Sequence, residues 1–194
     1  MRIIGGNLKG SKLYLPEDEK TRPLKDLVRE SIFNLIHHSN KVLIKLDQSN
    51  VLDIYAGTGS FGLECLSRGA KNISFIENNN NSLRILEKNI EKLKVKKKIK
   101  LLRNDAIKVL SDNKNLKKPF DLIFLDPPYG KYELLKIIDK LYDHCWAASS
   151  AKIYIESDEC LDGLLSSKYE LIRDSKAGNV YYGILKLTTK KSQK

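Results

Sequence analysis

The segment Asp126-Pro127-Pro128-Tyr129 combines residue types that could act on a planar amine. Two consecutive prolines fix φ and carry no N–H, which leaves backbone carbonyls without neighbouring donors. The lone pair of an exocyclic amine on a nucleic-acid base is delocalised into the ring. Hydrogen bonds from its two protons to the Asp126 carboxylate and the Pro127 carbonyl would return electron density to nitrogen, which could then attack an electrophile in line. No strong base is needed beforehand, because the departing proton becomes acidic as the new bond forms. Tyr129 offers a flat face on which a base could stack. Asp126, Pro127, Pro128 and Tyr129 are therefore the candidate catalytic residues. Such a segment serves several planar amines, so adenine N6 and cytosine N4 stand beside guanine N2 as targets.

A second constellation begins at Asp53. Gly57, Gly59 and Gly62 match G-x-G-x-x-G, with Ala56 and Thr58 interleaved, after an apolar run and before a helical one. Glycine permits the tight turn and lets a ligand approach bare backbone. A nicotinamide enzyme could carry the same loop. Asp53, placed before it, shifts the balance, because a carboxylate repels a pyrophosphate but suits a cationic ligand. S-adenosyl-L-methionine carries an ammonium and a sulfonium and no phosphate. Glu77 falls where the next strand should end and could accept both hydroxyls of an adenosine ribose; its other reading is a helix cap. Asn104-Asp105 follows a third strand, and Asp105 could accept from an adenine amino group, cap the next helix, or both. The candidate cofactor residues are thus Asp53, Ala56, Gly57, Thr58, Gly59, Glu77, Asn104, Asp105 and Asp126.

The elements that must position these residues follow from periodicity. Residues 51–55, 72–76, 99–102, 120–125 and 152–156 read as strands. Helical stretches 61–68, 82–93 and 134–142, with another opening at Ala106, lie between them. Residues 120–125 are apolar apart from Asp121, as the buried centre of a parallel sheet requires. Residues 169–173 and 180–187 read as a closing antiparallel hairpin, giving seven strands in an open, mostly parallel α/β sheet whose ligand lies beyond the carboxyl ends of the strands. Before this core, Ile3, Ile4, Leu13 and Leu15 alternate loosely around glycines 5, 6 and 10, predicting a short β-hairpin. Pro23 then opens a helix whose apolar stripe is Leu24, Leu27, Val28, Ile32, Leu35 and Ile36. Phe33 falls on the opposite face with Asp26, Arg29 and Glu30, either covered by another part of the chain or offered to a substrate. The expected division is residues 1–40 as an extension packed on the core and 41–194 as the core itself.

The 194 residues suffice for one domain with a real core. No apolar run approaches the roughly 20 residues of a membrane span, and the first residues form no signal-like stretch, so a cytoplasmic protein is expected. Cys65, Cys145 and Cys160 are odd in number and widely spaced, which argues against disulfides and a zinc site; no metal is expected. The net charge of +11 points to a polyanionic partner, but 28 of the 35 basic residues are lysine. Asparagine is also abundant, as in Asn78 to Asn81, and a bias toward Lys and Asn codons could supply much of that excess. The run Lys94 to Lys100 reads as a solvated turn, and Trp146 as a packing residue.

Across nearly its whole length the chain resembles the bacterial 16S ribosomal RNA guanine-N2 methyltransferases of the RsmD type. The Gly loop and D-P-P-Y mark only a superfamily. What narrows the resemblance is Met1-Arg2-Ile3-Ile4-Gly5-Gly6 with Lys9-Gly10, Thr21-Arg22-Pro23 and Val28-Arg29-Glu30-Ser31-Ile32-Phe33-Asn34, continued by Ser67-Arg68-Gly69-Ala70 and Phe75-Ile76-Glu77. Tyr55 departs from the pattern, where a small or different apolar residue is expected. The resemblance implies a Rossmann-like class I methyltransferase fold, S-adenosyl-L-methionine as cofactor, and one guanine of 16S ribosomal RNA as target, within an assembled or assembling small subunit. It also gives Arg2, Lys9, Lys12, Arg22 and Arg29 an expected role as an RNA-facing rim. Nothing in the sequence requires more than a monomer.

Overall fold

The computed structural model describes residues 1–16, 23–38, 44–114, 116–127, 131–161, 163 and 165–188. Seven strands form one sheet: β1 (Asn50–Ile54), β2 (Asn72–Glu77), β3 (Ile99–Arg103), β4 (Phe120–Leu125), β5 (Ala147–Ser157), β6 (Tyr169–Ala177) and β7 (Val180–Leu187). Their order is β3-β2-β1-β4-β5-β7-β6. The first five are parallel, whereas β7 pairs antiparallel with both β5 and β6. Helices α1 (Pro23–His38), α2 (Ser60–Ser67), α3 (Asn80–Lys92), α4 (Ala106–Leu110) and α5 (Lys131–Asp143) complete the chain. The strand order reverses between β1 and β4, and that switch point opens a crevice at the carboxyl ends of the strands.

Alternation along the strands sends side chains to two separate cores. Val51, Phe75, Leu122, Phe124, Tyr154 and Ile184 face a cluster shared with α1, α2 and α3. Leu52, Ile54, Ile123, Leu125, Ile153 and Leu185 face the other, shared with α4 and α5. In the second, Trp146 is buried and stacks on Phe120, ring centroids 6.0 Å apart. The run from Lys94 forms a 3-10 turn over Lys96–Lys98 with its lysines exposed. The C-terminal hairpin turns through Gly178-Asn179, where Gly178 has φ +61°.

The N-terminal hairpin is less regular than its sequence predicts. Only one antiparallel bridge forms, Arg2 with Lys12, and a 3-10 turn occupies Gly6–Leu8. Backbone bonds from Ile3 N to Ser11 O, Gly10 N to Ile3 O and Leu13 N to Met1 O still join the two arms, and side chains of the core add to them. Glu64, fully buried on α2, accepts the N–H groups of Ile4 and Gly5, each at 2.8 Å, and bonds Arg68 Nε at 2.7 Å. Ser67 Oγ accepts from Leu8 N and donates to the Gly5 carbonyl. Gly6 lies so close to α2 that a Cβ there would sit 1.9 Å from the Ser67 carbonyl oxygen. Further along, Asn89 of α3 accepts from Tyr14 N and donates to the carbonyls of Tyr14 and Thr58.

Phe33 is covered rather than offered outward. Its ring lies among Phe61 and Phe124, with the Arg68 guanidinium 4.5 Å from its centroid. Arg29 shares that burial at 2% exposure, and its Nη2 donates to the Arg2 carbonyl at 2.8 Å. Arg29 and Phe33 are therefore inside along with Ile32 and Ile36, while Glu30, Ser31 and Asn34 of α1 are exposed.

Candidate active site

The loop after β1 is built on the glycines. Gly57 and Gly59 have φ of +55° and +83°, a region that residues with a Cβ adopt only at a cost. A Cβ on Gly57 would meet nothing within 4 Å, so this part of the loop presents bare backbone to open space. A Cβ on Gly59 would strike Leu86 at 2.3 Å, and one on Gly62 would strike Phe75 at 2.4 Å. These two glycines bring α3 and α2 close to the loop and the sheet. Ala56 N donates to the Ile76 carbonyl, tying the loop to β2. Tyr55 itself has φ +59°, uncommon for an aromatic residue, and its side chain packs toward the α4–α5 face.

Glu77 braces the same loop. Its Oε2 accepts from Gly57 N and its Oε1 from Asn78 N and Asn79 N, all at 2.8 Å. The helix cap belongs to Asn79 instead, whose side chain accepts from Asn81 N and Ser82 N. That gives one residue of the asparagine run a definite job. Asp105 caps α4 by accepting from Lys108 N, and Asn104 Oδ1 accepts from Asp105 N. Asn78, Asn80, Asn104 and Asp105 line a cleft of about 650 Å³ beside this end of the sheet.

Asp53 is 4% exposed and accepts from Gly62 N at 2.9 Å. Burial pushes its carboxyl up to about 8; the Gly62 N–H opposes this, and the Asp126 and Glu77 carboxylates add to the rise. Glu77 of β2 and Asp126 at the end of β4 thus both bear on Asp53 of β1 at the switch point. The residues present fit a cationic ligand, which would relieve their mutual repulsion.

The raised Asp53 makes stability fall with pH. The folded chain holds this proton up to about 8 and the unfolded chain releases it near 3.8, so the folded state loses stability as pH rises between those values. Asp53→Asn keeps an acceptor for Gly62 N–H and removes the titration. The variant should gain thermal stability over the wild type at pH 8 and show little gain at pH 4. Melting curves across that range check it, and parallel pH profiles for the two proteins would contradict it.

Asp126 directly follows β4 and is exposed, with Pro127 half-buried after it. Pro128 and Tyr129 lie outside the described residues. Of the expected RNA-facing rim, Arg2, Lys9 and Lys12 are exposed and Arg22 lies outside the described residues. Arg29 is corrected: its guanidinium points inward to hold the N-terminal loop and cannot reach a phosphate from there. The exposed three also differ in place. Tyr14, two residues after Lys12, is tied through Asn89 to Thr58 of the Gly loop. Leu8, next to Lys9, is tied to Ser67 at the far end of α2.

The sheet order, the Gly loop after β1 and the acidic-proline segment after β4 together define a Rossmann-like class I methyltransferase. Solved structures agree with that class. A protein titled putative methyltransferase yhhF from Escherichia coli superposes with a TM-score of 0.83 at 33% identity, covering 96% of this chain and 97% of that one. A putative methylase from Haemophilus influenzae gives 0.78 at 28% identity, covering 97% and 98%. In sequence, the Ribosomal RNA small subunit methyltransferase D of Escherichia coli (strain K12) is 35% identical over 184 residues, 94% of this chain and 87% of that protein. Residues 1–186 match the family described as Conserved hypothetical protein 95. The chain belongs to this family and is a methyltransferase, which sets aside a nicotinamide oxidoreductase.

Proposed function

We propose that the chain transfers a methyl group from S-adenosyl-L-methionine to the exocyclic N2 of a guanine in 16S ribosomal RNA. The observation that carries this reading is the placement of Asp126: Leu125 pairs with Ile54, so the segment after β4 and the Gly loop after β1 leave the same edge of the sheet side by side. The 35% identity to a ribosomal RNA small subunit methyltransferase supplies the substrate class. Bound S-adenosyl-L-methionine supplies an electrophilic methyl on a sulfonium.

The chain's own residues bind, orient and polarise. Gly57 leaves room for the cofactor against bare backbone, with Ala56, Thr58 and Gly59 shaping the turn. Asp53, protonated before the cofactor binds, ionises to compensate the charge of the bound cofactor. Glu77 fixes the loop through Gly57 and faces the ribose, and Asn104 and Asp105 border the adenine. The Asp126 carboxylate and Pro127 carbonyl accept hydrogen bonds from the two N–H groups of the target amine, and the Asp126 charge stabilises the nitrogen as it becomes positive. Pro128 keeps that carbonyl rigid and Tyr129 stacks on the base. Arg2, Lys9 and Lys12, with Arg22 preceding α1, offer phosphate contacts. The partner is the assembled or assembling small subunit, met by a cytoplasmic monomer.

Labelled methyl transfer tests the whole reading. Naked 16S RNA and small subunits lacking the modification are compared as substrates, and the product nucleoside is identified. N2-methylguanosine formed preferentially on the subunit is the expected result. N6-methyladenosine or N4-methylcytidine would overturn the base assignment, and labelling of naked RNA alone would overturn the partner.

A further inference from the structure

Beyond Asp126, the carboxyl edge of the sheet carries a second acid on the neighbouring strand. Phe124 of β4 pairs with Tyr154 of β5, and Leu125 with Ile155. Continuing that register brings Glu156 level with Asp126. Across the next pair, Glu156 stands opposite Tyr182 of β7. Phe124 and Tyr154 face the α1–α2 core, so alternation turns Asp126 and Glu156 to that same side. The Tyr154 hydroxyl confirms this for Glu156 by donating to its Oε1 at 2.8 Å.

The surroundings suit a flat ligand. Phe61 stacks on Phe124 with centroids 4.8 Å apart, and Tyr154 lies 6.0 Å from Phe61 and 6.3 Å from Tyr182. Phe61, Tyr182 and Glu156 are only half-buried, while Phe124 and Tyr154 are buried beneath them. The Tyr154 hydroxyl is pushed well up by burial, then by Glu156, and Asp126 adds to the rise, so both carboxylates bear on the same hydroxyl.

The bases differ in what lies beside the reacting amine. Guanine presents N1–H, a donor, next to N2. Adenine presents an unprotonated N1 next to N6, and cytosine an unprotonated N3 next to N4. A carboxylate beside the amine-binding acid therefore attracts guanine and repels the other two. A carboxylate has about four acceptor positions, and the Tyr154 hydroxyl occupies one of those on Glu156.

We propose that Glu156 determines base specificity by accepting N1–H of the target guanine, while Asp126 and the Pro127 carbonyl take the N2 amine. Tyr154 is a positioning residue that fixes the Glu156 rotamer. The assignment rests on the guanine reading above and adds a reason for it within this chain.

2-Aminopurine separates the two ideas, because it keeps the N2 amine and replaces N1–H with an acceptor. Small subunits are reconstituted on RNA carrying either guanine or 2-aminopurine at the nucleotide the wild-type enzyme methylates, and kcat/KM is measured for both. The wild type should prefer guanine by roughly 10–100-fold, the range for a hydrogen bond to a charged group. Glu156→Gln should lose a similar factor on guanine and show little preference, since its amide can donate to the acceptor. Binding of S-adenosylhomocysteine, followed by calorimetry, should stay within about twofold of the wild type, as hydrogen bonds to the base do not contribute to it. Tyr154→Phe should retain part of the preference, and it carries the test if Glu156→Gln does not fold. A wild-type preference retained in both variants overturns the role of Glu156 while leaving guanine methylation intact. A wild-type product other than N2-methylguanosine overturns both.

Discussion

Asp126→Ala is expected to lower the rate of methyl transfer by about a thousandfold, within the range for losing a group that acts only on the developing charge. The free base amine is a poor nucleophile because its lone pair belongs to the ring. Asp126 and the Pro127 carbonyl must draw both protons into position before nitrogen can direct that pair at the methyl group. Alanine removes the charged acceptor and leaves the proline carbonyl, so the substrate still docks but is neither aligned nor polarised. Cofactor binding should survive. Asp126 raises the Asp53 pKa, so its removal makes Asp53 easier to ionise and more ready to meet a cation. Single-turnover rates on unmodified small subunits, with S-adenosylhomocysteine affinity by calorimetry, separate the two effects. Asp126→Asn retains one acceptor and should fall between alanine and wild type. Turnover near the wild-type rate in Asp126→Ala would refute the mechanism.

The site was legible in the sequence wherever its signal is local. The apolar run of β4 followed by D-P-P-Y needs only neighbouring residues to be read, and so does the Gly loop. The strands from β1 to β7 follow for the same reason, each being a short apolar or alternating run between turns. β5 begins earlier than its periodicity predicts, at Ala147, because exposed Ser149 and Ser150 break the pattern within the strand. Asn79 had a readable signal, since asparagine ahead of an amphipathic stretch is a common helix cap, but four consecutive asparagines hid which one it was.

What stayed hidden depends on partners distant in sequence. Arg29 looks like a surface residue on the polar side of α1. It is buried because a loop from the chain start folds over that side and supplies a carbonyl acceptor. Glu156 looks like an ordinary strand-end acid until the β4–β5 register, which pairs Leu125 with Ile155, is continued one step to Asp126. Glu64, Ser67 and Asn89 appear as unremarkable polar helix residues. Their bonds to the N-terminal segment bridge 59 to 75 positions, which no local spacing rule can detect.

Glu64 is where that hidden connection has the largest expected effect on stability. Its side chain is fully buried and serves three donors: the Ile4 and Gly5 amides and Arg68 Nε. Glu64→Ala would leave two half-buried backbone amides and a half-buried guanidinium without this acceptor. Breaking one side of a buried ion pair costs about 3–5 kcal/mol. For a chain of this size each kcal/mol lowers Tm by about 2–4 °C, so a drop of roughly 10 °C is expected. Glu64→Gln keeps one carbonyl oxygen for an amide but sets its NH2 against another donor, and should lose less. The loss should be local first: amide exchange at Ile4 and Gly5 should accelerate more than in β1 or β4, which are held by the sheet. Arg68 would also lose the anchor that keeps its guanidinium over Phe33, loosening the contact between α1 and α2. Cofactor affinity should change little, because the Gly loop is braced independently by Glu77 and Asn89. A Glu64→Ala protein with wild-type Tm and unchanged exchange at Ile4 and Gly5 would show that the N-terminal segment is held by its apolar contacts, Ile3 and Leu13, rather than by this carboxylate.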